Sequence, residues 1–252
     1  MSEALASDSG YTGELDRLRS ELSSQCREGE EKEAQLERYA ADLRETFIAE
    51  RAKAEELRAS YVATVRALTN AVEARDAYTG KHAERVAAYG LRLAREVDGD
   101  LVDEPEVEFG FLLHDIGKVA VPDGVLHKPQ PLTPEEQALM RRHPVIGWEI
   151  LQEIGFLEEA KLVVRHHHER WDGDGYPDGL AGEDIPLAAR VFAVADALDA
   201  LTTDRPYRNA TSIAEARERI RAASGTQFDP AVVKGFERIG DDEIERIRRE
   251  IS

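Results

Sequence analysis

Apolar residues recur every seven positions over the first part of the chain. A first row consists of leucines seven or fourteen residues apart, at positions 15, 22, 36, 43 and 57. A second row follows four residues later and contains Ala40, Phe47, Ala54, Tyr61 and Leu68. This spacing predicts a long helix with a coiled-coil seam, so we expect it to pair with a second copy of itself. Gly29, Glu33 and Glu50 interrupt the seam, and a single solvated helix is the alternative.

From about residue 70 onward the pattern is helical with intervening loops, and no run alternates as a strand does. All ten prolines lie at position 105 or later, which separates this part from the long N-terminal helix. We therefore predict an all-α protein with an N-terminal region at 1–69 and a second helical domain at 70–252. The predicted helices of that domain are 82–97, 104–118, 133–142, 144–153, 157–169, 187–202, 211–223, 229–239 and 241–250.

Composition narrows the range of functions. The chain has 51 acidic and 33 basic side chains, for a formal charge of −18, which argues against a protein that coats nucleic acid or an anionic membrane. Cys26 is the only cysteine, so no intrachain disulfide can form. The sequence also contains neither a signal peptide nor an apolar stretch long enough to span a bilayer. These features predict a cytoplasmic protein.

The most informative segment is Leu112–Lys118, where a histidine and an aspartate sit in an apolar predicted helix. A buried carboxylate is costly unless a cation or hydrogen bonds compensate it. His114, Asp115 and Lys118 are spaced so that all three can face one centre. Taken alone, however, the neighbouring His114 and Asp115 are also consistent with an ordinary ion pair or hydrogen bond.

Further histidines and carboxylates occur in similar surroundings. His82, His143 and Asp196 each have an ordinary structural explanation when taken singly: a surface position, a helix cap and an ion pair. Together with the run at 166–168 they are too many for an apolar core without cations. Three consecutive helical histidines cannot all face one pocket, so at least one is not a ligand. Imidazole and carboxylate ligands suit iron, manganese, zinc or nickel, and a carboxylate between two cations suits phosphate-ester hydrolysis.

These residues belong to a series of motifs that resembles the HD-GYP family, the cyclic di-GMP phosphodiesterase branch of the HD superfamily. The resemblance covers roughly residues 70–240 and excludes the N-terminal helix. The motifs, in chain order, are Asp-x-Tyr-Thr-x-x-His (76–82), His-Asp-x-Gly-Lys (114–118), Arg-His-Pro (142–144), His-His-Glu-Arg-Trp-Asp-Gly-x-Gly-Tyr-Pro-x-Gly-Leu (167–180), Ala-Asp (195–196), Asp-Arg-Pro-Tyr-Arg (204–208) and Gly-Thr-Gln-Phe-Asp-Pro (225–230).

The resemblance implies an HD-domain helical bundle with extra GYP helices, and it implies roles for particular residues. Asp115 would bridge two metals, and Lys118 would assist at the scissile phosphate. The nucleotide would be contacted by Asp76, Tyr176, Arg205 and Arg208, although the two arginines could instead neutralise Asp204 and nearby acids. The implied metal ligands are His82, His114, Asp115, His143, His167, His168 and Asp196.

One departure from the family pattern bears on the number of metals. Some members carry a glutamate four residues before the first histidine, which supports a third metal, and Tyr78 stands there in this chain. We therefore expect two divalent ions, iron or manganese, and cleavage of cyclic di-GMP to linear pGpG, with further cleavage to GMP less favoured.

Two alternatives remain open at this point. The substrate could be another cyclic dinucleotide such as cyclic GMP-AMP, since the motifs do not specify the purine pocket. Alternatively, the domain could be a catalytically inactive signalling module that binds metal or a partner such as a diguanylate cyclase.

Overall fold

A computed structural model describes residues 4–75, 81–102, 105–204 and 209–251. Within these ranges the secondary structure is helical, and the only β feature is an isolated bridge between Ser224 and Phe228. The prediction of an all-α protein is therefore confirmed. The chain divides into two compact units, Met1–Ser60 and Tyr61–Ser252. None of the described helices combines the length and apolar character needed to cross a lipid bilayer.

Helix α1 extends over Ala4–Glu73, as the proline-free, heptad-patterned sequence predicts. The apolar residues of its first row are exposed, with Leu36 67% and Leu43 72% accessible. Exposure of such large side chains in a regular row is typical of a surface that another molecule covers. Pairing of this helix with a second copy stays a prediction.

The second unit consists of short helices separated by turns. The helices are α2 His82–Val97, α3 Pro105–Leu113, α4 Asp123–Leu126, α5 Pro134–Met140, α6 His143–Leu151, α7 Glu158–His166, α8 Leu187–Thr202, α9 Ile213–Ala222, α10 Pro230–Phe236 and α11 Asp241–Glu250. Single 3-10 turns cover Gly99–Val102, Ile116–Ala120 and Gly182–Asp184.

Helix starts follow the capping chemistry visible in the sequence. Thr133 and Glu136 form a capping box, in which the Glu136 amide donates to Thr133 Oγ1 at 3.3 Å and the Thr133 amide donates to Glu136 Oε2 at 2.8 Å. Asp229 caps α10 by accepting from the amide of Ala231 at 2.7 Å.

Two predicted helices end earlier than the sequence pattern indicates. The helix predicted over 104–118 ends at Leu113, and the chain continues through a turn into the 3-10 segment Ile116–Ala120. The helix predicted over 157–169 ends at His166, which leaves His167 and His168 in a turn. In both places the residues just beyond the helix end are still buried or half-buried, so no change to exposed residues marks the end of the helix.

The core forms where α3 packs on α7 and α2 packs on α8. Phe111 and Phe192 are fully buried at its centre, with ring centroids 5.6 Å apart. Gly90 makes room for this pair, because a Cβ at that position would lie 2.5 Å from the Phe111 ring. The ends of these packed helices position the side chains described below.

Gly117 lets the turn after α3 approach α6 closely. A Cβ at Gly117 would lie 1.9 Å from the carbonyl oxygen of His143 and 2.6 Å from the amide nitrogen of Gly147. Backbone atoms cannot yield as a flexible side chain does, so the two segments would have to separate.

We expect Gly117→Ala to lower the free energy of unfolding by about 3 kcal/mol or more, measured by urea denaturation. Gly124→Ala is the matched control, because no atom lies within 4 Å of its added Cβ. A Gly117→Ala protein as stable as the control would contradict the close approach.

Candidate metal centre

Most of the candidate metal ligands lie at or just beyond the ends of separate helices that converge on one region. His82 begins α2 and His143 begins α6. His114 and Asp115 directly follow the end of α3. In the same way, the histidines at 167 and 168 follow α7, and Asp196 lies within α8. Helix termini suit such a site because they bring polar side chains into an apolar core without breaking a helix.

Asp115 lies at the centre of this region, between two groups of imidazoles. Its Oδ2 is 3.1 Å from His114 Nε2, and its Oδ1 is 3.3 Å from His143 Nε2. Lys118 Nζ lies 2.7 Å from Oδ2. A carboxylate with one oxygen facing each group can act as a ligand together with both groups at once.

The first group lies on the His143 side. His143 Nε2 and His167 Nε2 are 3.2 Å apart, and the rings of His167 and His168 have centroids 4.1 Å apart. One nitrogen from each of these three side chains lies within 4.8 Å of the others, so the three can share one ion.

The second group lies on the His114 side. His82 and His114 have ring centroids 5.5 Å apart, and His82 Nε2 is 3.4 Å from Asp196 Oδ1. With Asp115 this group offers two imidazoles and two carboxylates. All seven sequence-predicted ligands are thus brought into one connected cluster, although their coordination of metal stays a prediction.

The orientation of the histidine rings fits metal binding. Nδ1 of His114, His143 and His167 lies 2.9, 2.7 and 2.8 Å, respectively, from the backbone carbonyl oxygen three residues earlier. A carbonyl only accepts, so each Nδ1 carries the proton and each Nε2 keeps its lone pair. In every case Nε2 is the atom directed at the cluster, as metal ligation requires.

Electrostatics favours the same protonation states. Burial lowers the pKa of His143 and His167, and it lowers the pKa of His168 to about 3. These imidazoles are therefore neutral near pH 7, which is the form that binds metal. Burial alone would raise the pKa of Asp115, but its interactions with His114 and Lys118 outweigh burial and hold that pKa well below its usual range.

Asp199 is a functional candidate that the motif analysis missed. It is 2% exposed, and its Oδ2 lies 2.7 Å from His82 Nδ1. Arg85 holds the same carboxylate through Nε to Oδ1 at 2.7 Å and Nη2 to Oδ2 at 3.1 Å. Asp199 thus fixes the His82 ring as the backbone carbonyls fix the other three. Its signal in the sequence is a second aspartate three residues after Asp196 in an apolar helix, which puts both on one face.

The GYP loop, residues 171–186, forms one wall of the centre. Tyr176 stacks on the His168 ring with centroids 4.7 Å apart, and the Arg141 guanidinium lies 5.0 Å from the Tyr176 ring centroid. Burial raises the pKa of Tyr176 to about 12, so its hydroxyl stays protonated. Gly175 is required here, because a Cβ would lie 2.4 Å from the Arg170 amide nitrogen.

Glu169 anchors this loop from beneath. Its buried carboxylate accepts from the backbone amides of Asp178, Gly179 and Leu180 at 2.7, 3.1 and 3.1 Å. Burial raises the pKa of Glu169 even though these three amides lower it. The sequence analysis gave Glu169 no role.

His166 lies apart from the cluster around Asp115. Its Nδ1 is 3.9 Å from Glu169 Oε1 and 3.6 Å from Asp178 Oδ2, and Asp178 is held by Arg165 through two contacts of 2.8 Å. The run of three histidines therefore divides as expected, with one histidine outside the cluster, but His167 and His168 face the centre from a turn and not from a helix. Asp76, Tyr78, Arg205 and Arg208 lie outside the described residues.

Comparison with known proteins identifies the family. The HD domain family model matches residues 66–232. A cyclic di-GMP phosphodiesterase of Thermotoga maritima is 41% identical over 71% of this chain and 49% of its own length. A 3′3′-cGAMP-specific phosphodiesterase of Vibrio cholerae is 42% identical over 66% of this chain and 32% of its own. Among solved structures, an HDG"Y"P protein of Bdellovibrio bacteriovorus shares the fold, with a TM-score of 0.51 at 23% identity over 65% of this chain and 51% of that one.

The chain belongs to the HD domain family, and within it to the HD-GYP branch that its motifs indicate. It spans between a third and a half of the length of these two curated relatives.

We expect Asp199→Asn to weaken metal binding about 10- to 100-fold, because the neutral amide no longer holds His82 as the carboxylate does. Titration of metal-free protein with Mn²⁺ in competition with a chelator measures the change. Asp123→Asn is the control, since Asp123 also pairs with an arginine but is exposed, and its ion-pair partners Arg75 and His127 are not candidate ligands. Equal affinities in the two variants would show that Asp199 does not position His82.

Proposed function

We propose that this chain is a metal-dependent phosphodiesterase that hydrolyses cyclic di-GMP to linear pGpG in bacterial second-messenger signalling. The observation that carries the proposal is the Asp115 carboxylate, which has one oxygen within 3.3 Å of each histidine group. The name of the Thermotoga maritima relative, a cyclic di-GMP phosphodiesterase, supports the substrate.

Two divalent ions, iron or manganese, would be held in this centre. His82, His114 and Asp196 would hold one, and the histidines at 143, 167 and 168 would hold the other, with Asp115 shared. When bound, such ions supply Lewis acidity toward the phosphate ester and lower the pKa of water. Tyr78 stands where some family members carry a further acidic ligand, which favours two ions over three and pGpG over GMP as the product.

The protein's own residues would bind and orient the substrate. Lys118 Nζ, 2.7 Å from Asp115, is placed to donate a hydrogen bond to a phosphoryl oxygen or to protonate the leaving 3′ oxygen. The contact with Asp115 holds the Lys118 side chain at the centre. Tyr176, with Asp76, Arg205 and Arg208, would contact the nucleotide. The buried imidazoles exclude bulk water from the reacting phosphate.

One other substrate has specific support. Cyclic GMP-AMP is the second candidate substrate, because a Vibrio cholerae relative at 42% identity is named as specific for it. A catalytically inactive signalling module that binds metal or a partner protein is the alternative from another class.

The remaining proposals concern partners and setting. We propose that the protein is cytoplasmic, that it forms a homodimer through α1, and that it acts beside other signalling proteins such as a diguanylate cyclase. The exposed leucine row of α1 supports the dimer.

We expect the protein with added Mn²⁺ or Fe²⁺ to convert cyclic di-GMP to pGpG, and Asp115→Asn to lower kcat at least about 1000-fold, because the shared carboxylate is lost. Chromatography of the products with cyclic di-GMP and cyclic GMP-AMP in parallel reveals the preferred substrate. Asp123→Asn is again the control. Turnover of neither dinucleotide by the metal-loaded protein would favour the signalling module.

The dimer makes a separate prediction. Leu36→Glu combined with Leu43→Glu puts charge into the seam, so we expect light scattering at micromolar concentration to show a dimer for the unaltered protein and a monomer for this variant. Arg38→Ala with Glu45→Ala is the control, because these residues lie about 200° around the helix from the leucines. A monomeric unaltered protein would refute the dimer.

A further inference from the structure

A cavity of about 460 Å³ opens directly beside the candidate metal centre. His167, His168 and Asp196 line one end of it, and Tyr176 contributes to a wall. This volume lies within the range of about 300–1,000 Å³ that is typical of small-molecule sites. A ligand with its phosphate at the metal centre would therefore have this space available for an attached group.

The far part of the cavity is built for a flat apolar group. It lies between α8, α9 and the loop 223–228 that follows α9, and the apolar residues that line it are Ala193, Ala197, Ala200, Leu201, Ile220, Ala223 and Phe228. Small alanines on the α8 side leave a broad surface, and Phe228 is buried beneath it. Such walls favour a planar ring over a chain of hydroxyl groups.

Beside the candidate ligands and Tyr176, four polar side chains line the cavity. Glu169 and Arg170 are engaged by the GYP loop, through its backbone amides and Asp172, and the other two are Arg219 and Gln227. Arg219 lies on α9, where its Nη2 contacts Glu215 Oε1 one turn earlier at 2.5 Å. That pair is exposed and contributes little stability, so the guanidinium can turn toward a ligand at small cost.

Gln227 is positioned by the backbone of the GYP loop. Its carbonyl oxygen accepts from the Trp171 amide at 3.2 Å, and the carbonyl oxygen of Thr226 accepts from the Asp172 amide at 2.8 Å. These bonds fix the loop that carries Gln227 to the loop that carries Tyr176. The Gln227 backbone is thereby fixed relative to that loop, and the Gln227 side chain lines the cavity.

We propose that this cavity is a guanine subsite, in which Arg219 donates to O6 and N7 of the base and Gln227 accepts from its N1 and N2 protons. Of guanine and adenine, only guanine offers two adjacent acceptors to a guanidinium, because adenine has a donor in place of O6. This inference rests on the proposed function, since it assigns one base of the cyclic dinucleotide, and it makes Arg219 the residue that selects guanine over adenine.

Binding is the direct test, because it requires no turnover. Isothermal titration calorimetry of the full chain in EDTA compares cyclic di-GMP, cyclic GMP-AMP and cyclic di-AMP. We expect Arg219→Ala to weaken cyclic di-GMP about tenfold, with a much smaller effect on cyclic di-AMP, and Gln227→Ala to act in the same direction. Arg221→Ala is the matched control, since Arg221 lies on the same helix, pairs with Glu218 and Glu237, and does not line the cavity.

Kinetics supplies the second readout. Bis(p-nitrophenyl) phosphate is a small diester without a purine, so it reports on the metal centre alone. In the presence of Mn²⁺ we expect Arg219→Ala to lower the ratio of kcat/KM for cyclic di-GMP to kcat/KM for this diester about tenfold relative to Arg221→Ala.

The outcomes separate the subsite from the proposed function. Variants at 219 and 227 that behave like Arg221→Ala, an equal loss for all three dinucleotides, or an unaltered protein that binds none of them would overturn the guanine subsite. Guanine-selective binding that depends on Arg219, in a metal-loaded protein that hydrolyses no diester, would instead uphold the subsite and overturn the phosphodiesterase.

Discussion

The rest of this domain depends on one electrostatic constraint, the retention of the Asp115 carboxylate among buried imidazoles. A buried charge in that position needs positive or donor groups around it, and Lys118 supplies one at 2.7 Å. The Nε2 atoms of His114 and His143 face the same carboxylate with their lone pairs, so a cation held among them would complete the compensation. Most of the candidate ligands lie at or just beyond helix ends, whereas Asp196 lies within α8. The tight turn after α3, with its close approach at Gly117, carries His114 and Asp115.

Much of the fold could be predicted from the sequence, because hydrophobic periodicity and helix capping depend on residues that are close together in the chain. The all-α class, the long first helix and the start at Thr133 follow directly from spacing and side-chain chemistry. The ends of α3 and α7 were predicted too late, because the turns that follow them stay buried or half-buried and no proline or exposed stretch marks either helix end. Family membership was accessible because its motifs are dense and ordered, as at 114–118 and 167–180.

The support around the site was less accessible, since it depends on contacts distant in the chain. Asp199 reaches a histidine 117 positions away, and Glu169 appears in the sequence as one more acid in an acidic protein. The backbone carbonyls that orient His114, His143 and His167 cannot be predicted from residue types, because every residue has a carbonyl. The net charge of the chain is also a poor guide to the charge at the site. The total of −18 describes the whole molecule, whereas Lys118, Arg141 and Arg219 contribute positive charge where a dianionic substrate would enter.

The anchoring of the GYP loop by Glu169 bears on the entropy of association. A glycine-rich loop that orders only when ligand arrives subtracts its lost conformational freedom from the binding free energy. Here one buried carboxylate already holds three consecutive amides, and two further backbone bonds join the loop to residues 226 and 227. The wall that carries Tyr176 is therefore preorganised, so contacts made to a ligand on that side are available as affinity instead of being consumed in folding the loop.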